Sequence, residues 1–370
     1  MSIYRAFSVP SFTSLAIPAV SILIIFLAYT PQYLFFYIEP GPLSTSEAVL
    51  FNLLVLGVWW CYGRACTVSA APRGWVRHAL AQTDAPDALL ARRWCKLCQN
   101  IKPPRAHHCR SCGTCIPKMD HHCPWTGNCV SHTTQPHFVR FLAYAVGALV
   151  HLASLLSVRV ALLWRQRREP AYLGPTPDRL ALLWLLLLTT GLTLSLLVLL
   201  LARVVYGLLT NTTMIESGEI DRHAVLVARS HRSHGYVYAP GGHRLRIEPL
   251  EFPYDIGFWP NLCQAMGTAN VLLWWTPWAS TPSADTAVHW PINGFNDPGS
   301  AWPPPDPDKF SAYSPVTFGH DSIRDQSPSA FKLRQEADLR RRQLRVPVHT
   351  NLPSADTNDT ADTKLSRDGT

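Results

Sequence analysis

Charge is scarce in this sequence. Asp, Glu, Lys and Arg make up 16% of 370 residues, against 47% hydrophobic residues, too little to clothe one large or two ordinary soluble domains. Mean hydropathy is nevertheless near zero, at +0.03, so apolar blocks alternate with polar ones. Within the blocks charge is missing altogether: residues 6–38 contain none, and neither does the run of 23 residues from Leu180 to Ala202. Residues 39–47 contain no Lys or Arg. No aromatic-and-basic recognition motif accompanies the formal net charge of +8, which argues against nucleic acid as a partner. Spans with so few internal charges also offer little to an ion or polar solute, which argues against a transporter.

About 30 Å of hydrocarbon takes roughly 20 apolar residues to cross. Four stretches meet that length and predict transmembrane helices over 14–38, 48–67, 138–164 and 180–202. The first is too long and starts too late, with only Arg5 before it, for a cleaved signal peptide. Trp59, Trp60 and Tyr62 suit an interfacial belt, Arg64 can snorkel beside them, and Cys61 and Cys66 read as packing residues. Arg73, Arg77, Arg92, Arg93, Lys96, Lys102, Arg105, Arg110 and Lys118 all fall between the second and third spans. Set against the cation-free 39–47, they put that loop on the cytosolic face. The four arginines of 165–179 run against the same rule. His151, near the middle of the third span, reads as a hydrogen-bonding group between helices. Thr189, Thr190, Gly191, Thr193 and Ser195 read as positions where helices approach closely.

Seven of the ten cysteines and four histidines lie in residues 95–129, which repeat with a shift of fourteen. Cys95, Cys98, His108 and Cys115 follow C-x2-C-x9-H-x6-C, and Cys109, Cys112, His122 and Cys129 follow it again. Six thiolates and two imidazoles fill two tetrahedral Cys3His zinc sites. A disulfide framework does not suit an odd set of cysteines with interspersed histidines, and reduced thiols agree with a cytosolic face. Spacing leaves open which histidine of the doublets His107-His108 and His121-His122 binds metal.

One cysteine, Cys123, is left over. It stands where a third copy would begin, but position 126 is Thr126. Ala106 of the first copy is Asp120 in the second. A carboxylate, an imidazole and a free thiol thus lie within Asp120-His121-His122-Cys123, the residue types that generate and orient a thiolate nucleophile. A membrane-anchored zinc scaffold would explain the repeat but leave Asp120 and Cys123 without a role.

Asp-His-His-Cys in a cysteine-rich zinc domain, followed by Pro124-Trp125 and Asn128-Cys129, resembles the DHHC-type protein S-acyltransferases. The resemblance implies that Cys123 takes a fatty acyl group from acyl-CoA, normally palmitoyl-CoA, and passes it to client cysteines. It makes His121 the base, Asp120 its orienter, and His108 and His122 the zinc ligands. The fold expected is an all-α polytopic membrane protein of four helices with a cytosolic double-zinc loop, 92–137, between helices 2 and 3. Two structural zinc ions, the lipid bilayer and client membrane proteins with juxtamembrane cysteines complete the expected partners. A Thr-Thr-x-Glu motif follows the last span in that family. Here it reads Thr213-Met214-Ile215-Glu216, with Met214 in place of the second threonine. Asn211-Thr212-Thr213 also matches a glycosylation acceptor, which would go unmodified on the cytosolic side. A second family element, an asparagine before an aromatic-glycine pair, is matched by Asn261 and Met266-Gly267 with the aromatic lost. The wording around it is most like the smaller fungal members of the endoplasmic-reticulum type, which implies that membrane, with the Golgi as alternative, and both termini in the cytosol. Residues 203–280 carry these motifs. Residues 281–370, rich in Pro, Ser and Asp, are expected to be largely disordered, apart from a basic helix from Phe331.

Overall fold

The computed structural model describes residues 12–72, 74–77, 94–239, 244–297, 300, 302–304, 306 and 307. All belong to the first of two units, Met1–Ala312. The basic stretch from Phe331 lies in the second, Tyr313–Thr370, outside the described residues.

Four helices are long and apolar enough to cross a membrane: α1 Phe12–Leu34, α2 Thr45–Thr67, α3 Gln135–Arg165 and α4 Pro177–Leu209. Their starts are set by polar signals that hydropathy does not see. Ser44 and Glu47 form a capping box that begins α2 three residues before the expected start. Pro136 and Pro177 stand in the first turns of α3 and α4. At 1.5 Å per residue α3 and α4 are roughly 46 and 50 Å long, well beyond the hydrocarbon. The start of α3 and the end of α4 therefore stand clear and carry the loops described below. α1 stops at Leu34, and the expected remainder to Ile38 is a turn whose Phe35 and Ile38 are buried. These two pack with Phe51, Leu152, Leu156, Leu183 and Leu186 into the main core, in the half of the bundle away from the cysteines.

α2 and α3 pack tightly against each other. A Cβ at Gly57 would collide with the ring of Tyr144. Of the small residues of α4, Thr190 is buried, whereas Gly191 faces open space and the Thr189 and Ser195 hydroxyls donate to carbonyls of their own helix. Nor does His151 bond across helices. Its Nε2 has no partner, and the ring lies 6.0 Å from that of Phe51. Two of the four arginines that run against the charge rule, Arg167 and Arg179, sit over Trp164 and Tyr37, at 4.7 and 4.1 Å from the ring centres, as interfacial cations do.

Residues 94–130 of the loop between α2 and α3 carry strands, so the expected all-α description needs correcting. Six short strands form three antiparallel hairpins: β1 Trp94–Cys95 with β2 Asn100–Ile101, β3 His107–Cys109 with β4 Thr114–Ile116, and β5 His121–Cys123 with β6 Asn128–Val130. Beyond α4 come α5 Met214–His231, a fourth hairpin of β7 Tyr236–Tyr238 and β8 Arg244–Arg246, α6 Phe258–Met266 and α7 Val271–Trp275. Gly267 ends α6 with φ +78°, and a Cβ there would press on Pro282 at 2.9 Å.

Residues 281–297 also depart from expectation. Ala284, Ala287 and Val288 are buried against Trp75, Cys95, Ala106 and Cys115 of the cysteine-rich loop. His132 Nε2 pairs with Thr286 Oγ1 at 2.8 Å. A segment without a core of its own is ordered here by docking on another.

Candidate active site

Strand alternation sorts the histidine doublets. Successive side chains of a strand point to opposite faces, so His107 and Cys109 share one face of β3 while His108 takes the other. On β5 the same rule pairs His121 with Cys123 and isolates His122. His108 Nδ1 accordingly lies 3.5 and 3.2 Å from the Cys95 and Cys98 sulfurs. His122 Nδ1 lies 3.6, 3.5 and 3.6 Å from those of Cys109, Cys112 and Cys129. Cys95, Cys98, His108 and Cys115 make one group, and Cys109, Cys112, His122 and Cys129 another. In each, all four ligand atoms lie within 4.8 Å of one another, and each group can hold a metal ion. Both are laid out by the fourteen-residue repeat.

Cys123 belongs to neither group. It begins a third hairpin built like the first two, in which Thr126 replaces the second cysteine of the knuckle. In the metal knuckles the backbone N–H of Cys98 and of Cys112 donates to the sulfur three residues back, at 3.4 and 3.3 Å. In the turn of the third hairpin Thr126 donates from its backbone N–H and from its hydroxyl to the Cys123 carbonyl, both at 3.3 Å. His121 Nδ1 bonds Asp120 Oδ2 at 2.7 Å, which leaves Nε2 free to act on the Cys123 thiol, with which the ring interacts. Burial opposes charge on both members of this pair. It is overridden: Asp120 and Cys123 hold the His121 imidazolium up at about 9, and His121 and Thr126 hold the Cys123 thiol below its ordinary value. The His121 ring stands edge-on to Phe138 of α3 at 5.9 Å. Tyr62 of α2 donates to the Trp125 carbonyl at 2.9 Å, and Asn128 donates to Ala65 and Val68 at the end of α2, at 3.0 and 2.7 Å. The third hairpin is thus clamped between two spans.

The second oxygen of Asp120 accepts the Met214 backbone N–H at 2.6 Å, at the positive end of the α5 dipole. α5 is itself fixed from below. Thr213 and Glu216 form its capping box, and Glu216 also takes both a 2.7 Å ion pair and a second 2.7 Å hydrogen bond from Arg105. Arg105 bonds Asn211, whose Oδ1 also accepts from Lys118 Nζ at 2.7 Å. The Asn211 amide group donates to the Tyr254 carbonyl and Gln264 at 2.7 and 2.8 Å. Arg105 lies against Tyr254 and Trp290, at 4.6 and 4.7 Å from their ring centres. Burial, then the nearby Arg105 charge, pushes the Lys118 ammonium down to about 7, against the pull of Glu216 and Asp120. For Glu216 burial raises the pKa, but Arg105 outweighs it and the carboxyl sits below its ordinary range.

Sequence reasoning had counted Arg105 and Lys118 only as topological charges and Asn211 only as a glycosylation acceptor; all three are buried. Asn261 is buried too, donating to the Leu209 carbonyl at 2.6 Å and to Asp255 at 2.7 Å. Met266 fills the aromatic's place by packing with Val139, Leu208, Ala265 and Trp274.

A cavity of about 420 Å³ opens beside Cys123 and runs among the four long helices. Cys123, Trp125 and Thr126 line one end, and Leu27, Phe51, Leu152 and Leu192 lie furthest along the spans from it. Its wall is almost wholly hydrocarbon. A nucleophilic thiol at the mouth of an apolar tunnel, on the polar side of a helical bundle, suits the carbonyl carbon of a long acyl chain.

Comparison with known proteins agrees with this arrangement. Residues 90–220 match the family described as DHHC palmitoyltransferase. Palmitoyltransferase pfa4 of Emericella nidulans is 48% identical, over 93% of this chain and 82% of that protein. Palmitoyltransferase pfa4 of Aspergillus fumigatus is 50% identical, over 83% and 72%. Palmitoyltransferase PFA4 of Gibberella zeae is 45% identical, over 82% and 69%. The chain belongs to the DHHC palmitoyltransferase family. It is a membrane-bound protein S-palmitoyltransferase, acting on protein substrates at a lipid bilayer.

Proposed function

We propose that Cys123 carries the acyl group, that His121 moves its proton and that Asp120 orients His121. The observation that carries this assignment is the row of Asp120, His121 and Cys123 at the mouth of the apolar cavity, with the first two joined by a 2.7 Å hydrogen bond. In the first step the Cys123 thiolate attacks the thioester carbon of palmitoyl-CoA. A sulfur–carbon bond forms to Cys123, the bond to the CoA sulfur breaks, and the His121 imidazolium supplies the proton that CoA takes away. In the second step a client cysteine gives its proton to His121 and attacks the acyl-enzyme, and Cys123 leaves as thiolate. Asp120 stabilises the imidazolium in both steps, and the cavity holds the chain away from water.

The metal we assign to both Cys3His groups is zinc. Tetrahedral zinc, with Zn–S about 2.3 Å and Zn–N about 2.0–2.1 Å, requires S···S separations of about 3.8 Å and S···N of about 3.6 Å. The Cys98–Cys115 and Cys112–Cys129 sulfurs lie 3.7 and 3.5 Å apart, and the sulfur–nitrogen distances given above agree. Four protein ligands per ion leave no open position, so zinc would hold the hairpins folded. The excess of cations before α3 supports a cytosolic face for this loop, and hence clients whose cysteines lie close to the membrane on that side. The compartment we favour is the endoplasmic reticulum, from the likeness to the smaller fungal members, with the Golgi as alternative.

The test is acyl loading from labelled palmitoyl-CoA by the purified protein. A general base contributes about 10²–10⁴-fold, so His121→Ala should slow loading by that order with zinc content unchanged. Normal loading without His121 would remove it from the mechanism.

A further inference from the structure

Trp290 lies far along the chain from Asp120, in the segment that docks on the cysteine-rich loop. Its ring meets three side chains of the region behind the site. The Arg105 guanidinium carbon lies 4.7 Å from the ring centre and Lys118 Nζ 5.6 Å, and the His132 ring stands edge-on to the indole at 5.0 Å. All three are buried. Arg105 is paired with Glu216, whereas Lys118 bonds the amide oxygen of Asn211 rather than a carboxylate. The indole π system supplies negative potential to two crowded cations. It does so without a second carboxylate that could draw Arg105 away from Glu216.

Each of the three side chains belongs to a residue tied to the backbone around Asp120. The Arg105 carbonyl accepts the N–H of Met119, the neighbour of Asp120, at 3.3 Å. The His132 N–H donates to the Pro117 carbonyl at 3.2 Å, and the Asp120 N–H donates to the Val130 carbonyl at 3.0 Å. Lys118 precedes Asp120 by two residues. Arg105 also reaches the Asp120 carboxylate by a second route, through Glu216, the α5 cap and the Met214 N–H.

Trp290 is itself fixed on both sides. Its indole N–H donates to the Ala287 carbonyl at 3.0 Å, and Ala284, Ala287 and Val288 anchor the preceding turn on the first hairpins. Beyond it, the Asn293 N–H and side-chain amide donate to the Pro253 and Phe252 carbonyls, both at 2.9 Å. The Asn296 side chain pairs with the Glu251 backbone in both directions, at 2.9 and 2.7 Å.

We propose that Trp290 is a positioning residue for palmitoyl transfer: its ring holds Arg105, Lys118 and His132 together, and through them sets the Asp120 carboxylate against His121. The inference rests on the role given to Asp120 above. Trp290 does not line the acyl cavity. Weakening its ring should therefore lower the rate constant of acyl loading and leave the half-saturating concentration of palmitoyl-CoA where it is.

The test replaces Trp290 alone, in the full-length protein, by tryptophans carrying one, two and three fluorine atoms on the indole. Fluorination drains the π face while nearly keeping its shape. Loading from labelled palmitoyl-CoA and zinc per polypeptide are measured across the series, with Asp120→Asn as reference. The loading rate constant should fall step by step with each fluorine, while half-saturation and zinc stay constant. Trp290→Leu, which keeps bulk but has no π face, should fall furthest, by roughly ten- to a hundredfold, as misplacement of a reacting group does. A rate constant that stays level through the fluorine series while Asp120→Asn is slow would overturn the inference alone. So would a loss of zinc in step with the rate, which is the mark of a merely structural ring. A native rate in Asp120→Asn would overturn the role of Asp120 and the inference with it. The fluorine series decides the matter whether or not Trp290→Leu folds.

Discussion

Asp120 stands where Ala106 stands in the preceding copy of the repeat, and Thr126 stands where that copy has a cysteine; on the proposed assignment these two changes make a third knuckle a site for a nucleophile. Its carboxylate holds His121 on one oxygen and the α5 N-terminus on the other. Asp120→Asn removes the charge that keeps His121 protonated, so Cys123 loses its cationic partner and its pKa rises. The pH midpoint of Cys123 alkylation by iodoacetamide should therefore lie below that of an ordinary thiol in the native protein and move up in Asp120→Asn. An unmoved midpoint would contradict the coupling. The motif departure at Met214 has a simple physical account: the contact to Asp120 comes from its backbone N–H, and its side chain is 54% exposed. Met214→Thr should change palmitoyl transfer only modestly, and a large rise in turnover would mean that methionine weakens the native site. Cysteines, histidines and Asp120 were legible in the sequence because a local repeat displays them. Arg105, Lys118 and Asn211 were not, since their partners lie about a hundred residues away and a buried cation looks in sequence like any surface cation.

Among the elements, the four spans were legible from the absence of charge, whereas their ends were not. Helices α3 and α4 run past the apolar stretches because prolines, caps and packing, not hydropathy, decide where a helix stops. Order in 281–297 was hidden for a related reason. Its few apolar residues make no core alone, and only the face offered by Trp75 and Ala106 completes one. Helix α5 is the element on which the site depends, and Glu216 secures it through both the cap and Arg105. Glu216→Gln leaves Arg105 buried without a counter-charge, which costs about 3–5 kcal/mol and should appear as a marked drop in thermal stability. The Glu216 carboxyl has a pKa below its unfolded value, so its contribution is full at neutral pH and is lost as pH falls below about 4.3, the usual glutamate range, toward the folded value. Acid sensitivity in that window should be weaker in Glu216→Gln than in the native protein. Equal stability of the two at pH 7 would contradict the role given to the pair.

For the whole molecule, the metal loop, the bundle and the C-terminal elements meet at one thiol. The bundle supplies an apolar cavity, the loop presents Cys123 at its mouth, and the residues after α4 hold Asp120 from behind. The central claim is that one cysteine of the repeat does chemistry while six bind metal, and paired substitutions test it most directly. Cys109 and Cys123 both follow a His-His doublet. Zinc per polypeptide and hydroxylamine-sensitive palmitoyl label should be measured for Cys109→Ser and Cys123→Ser. Cys123→Ser should retain two zinc ions and carry no label, since a serine hydroxyl is a poor nucleophile at neutral pH, and Cys109→Ser should lose zinc. A zinc ion lost from Cys123→Ser, or a thioester label that persists in it, would contradict the account.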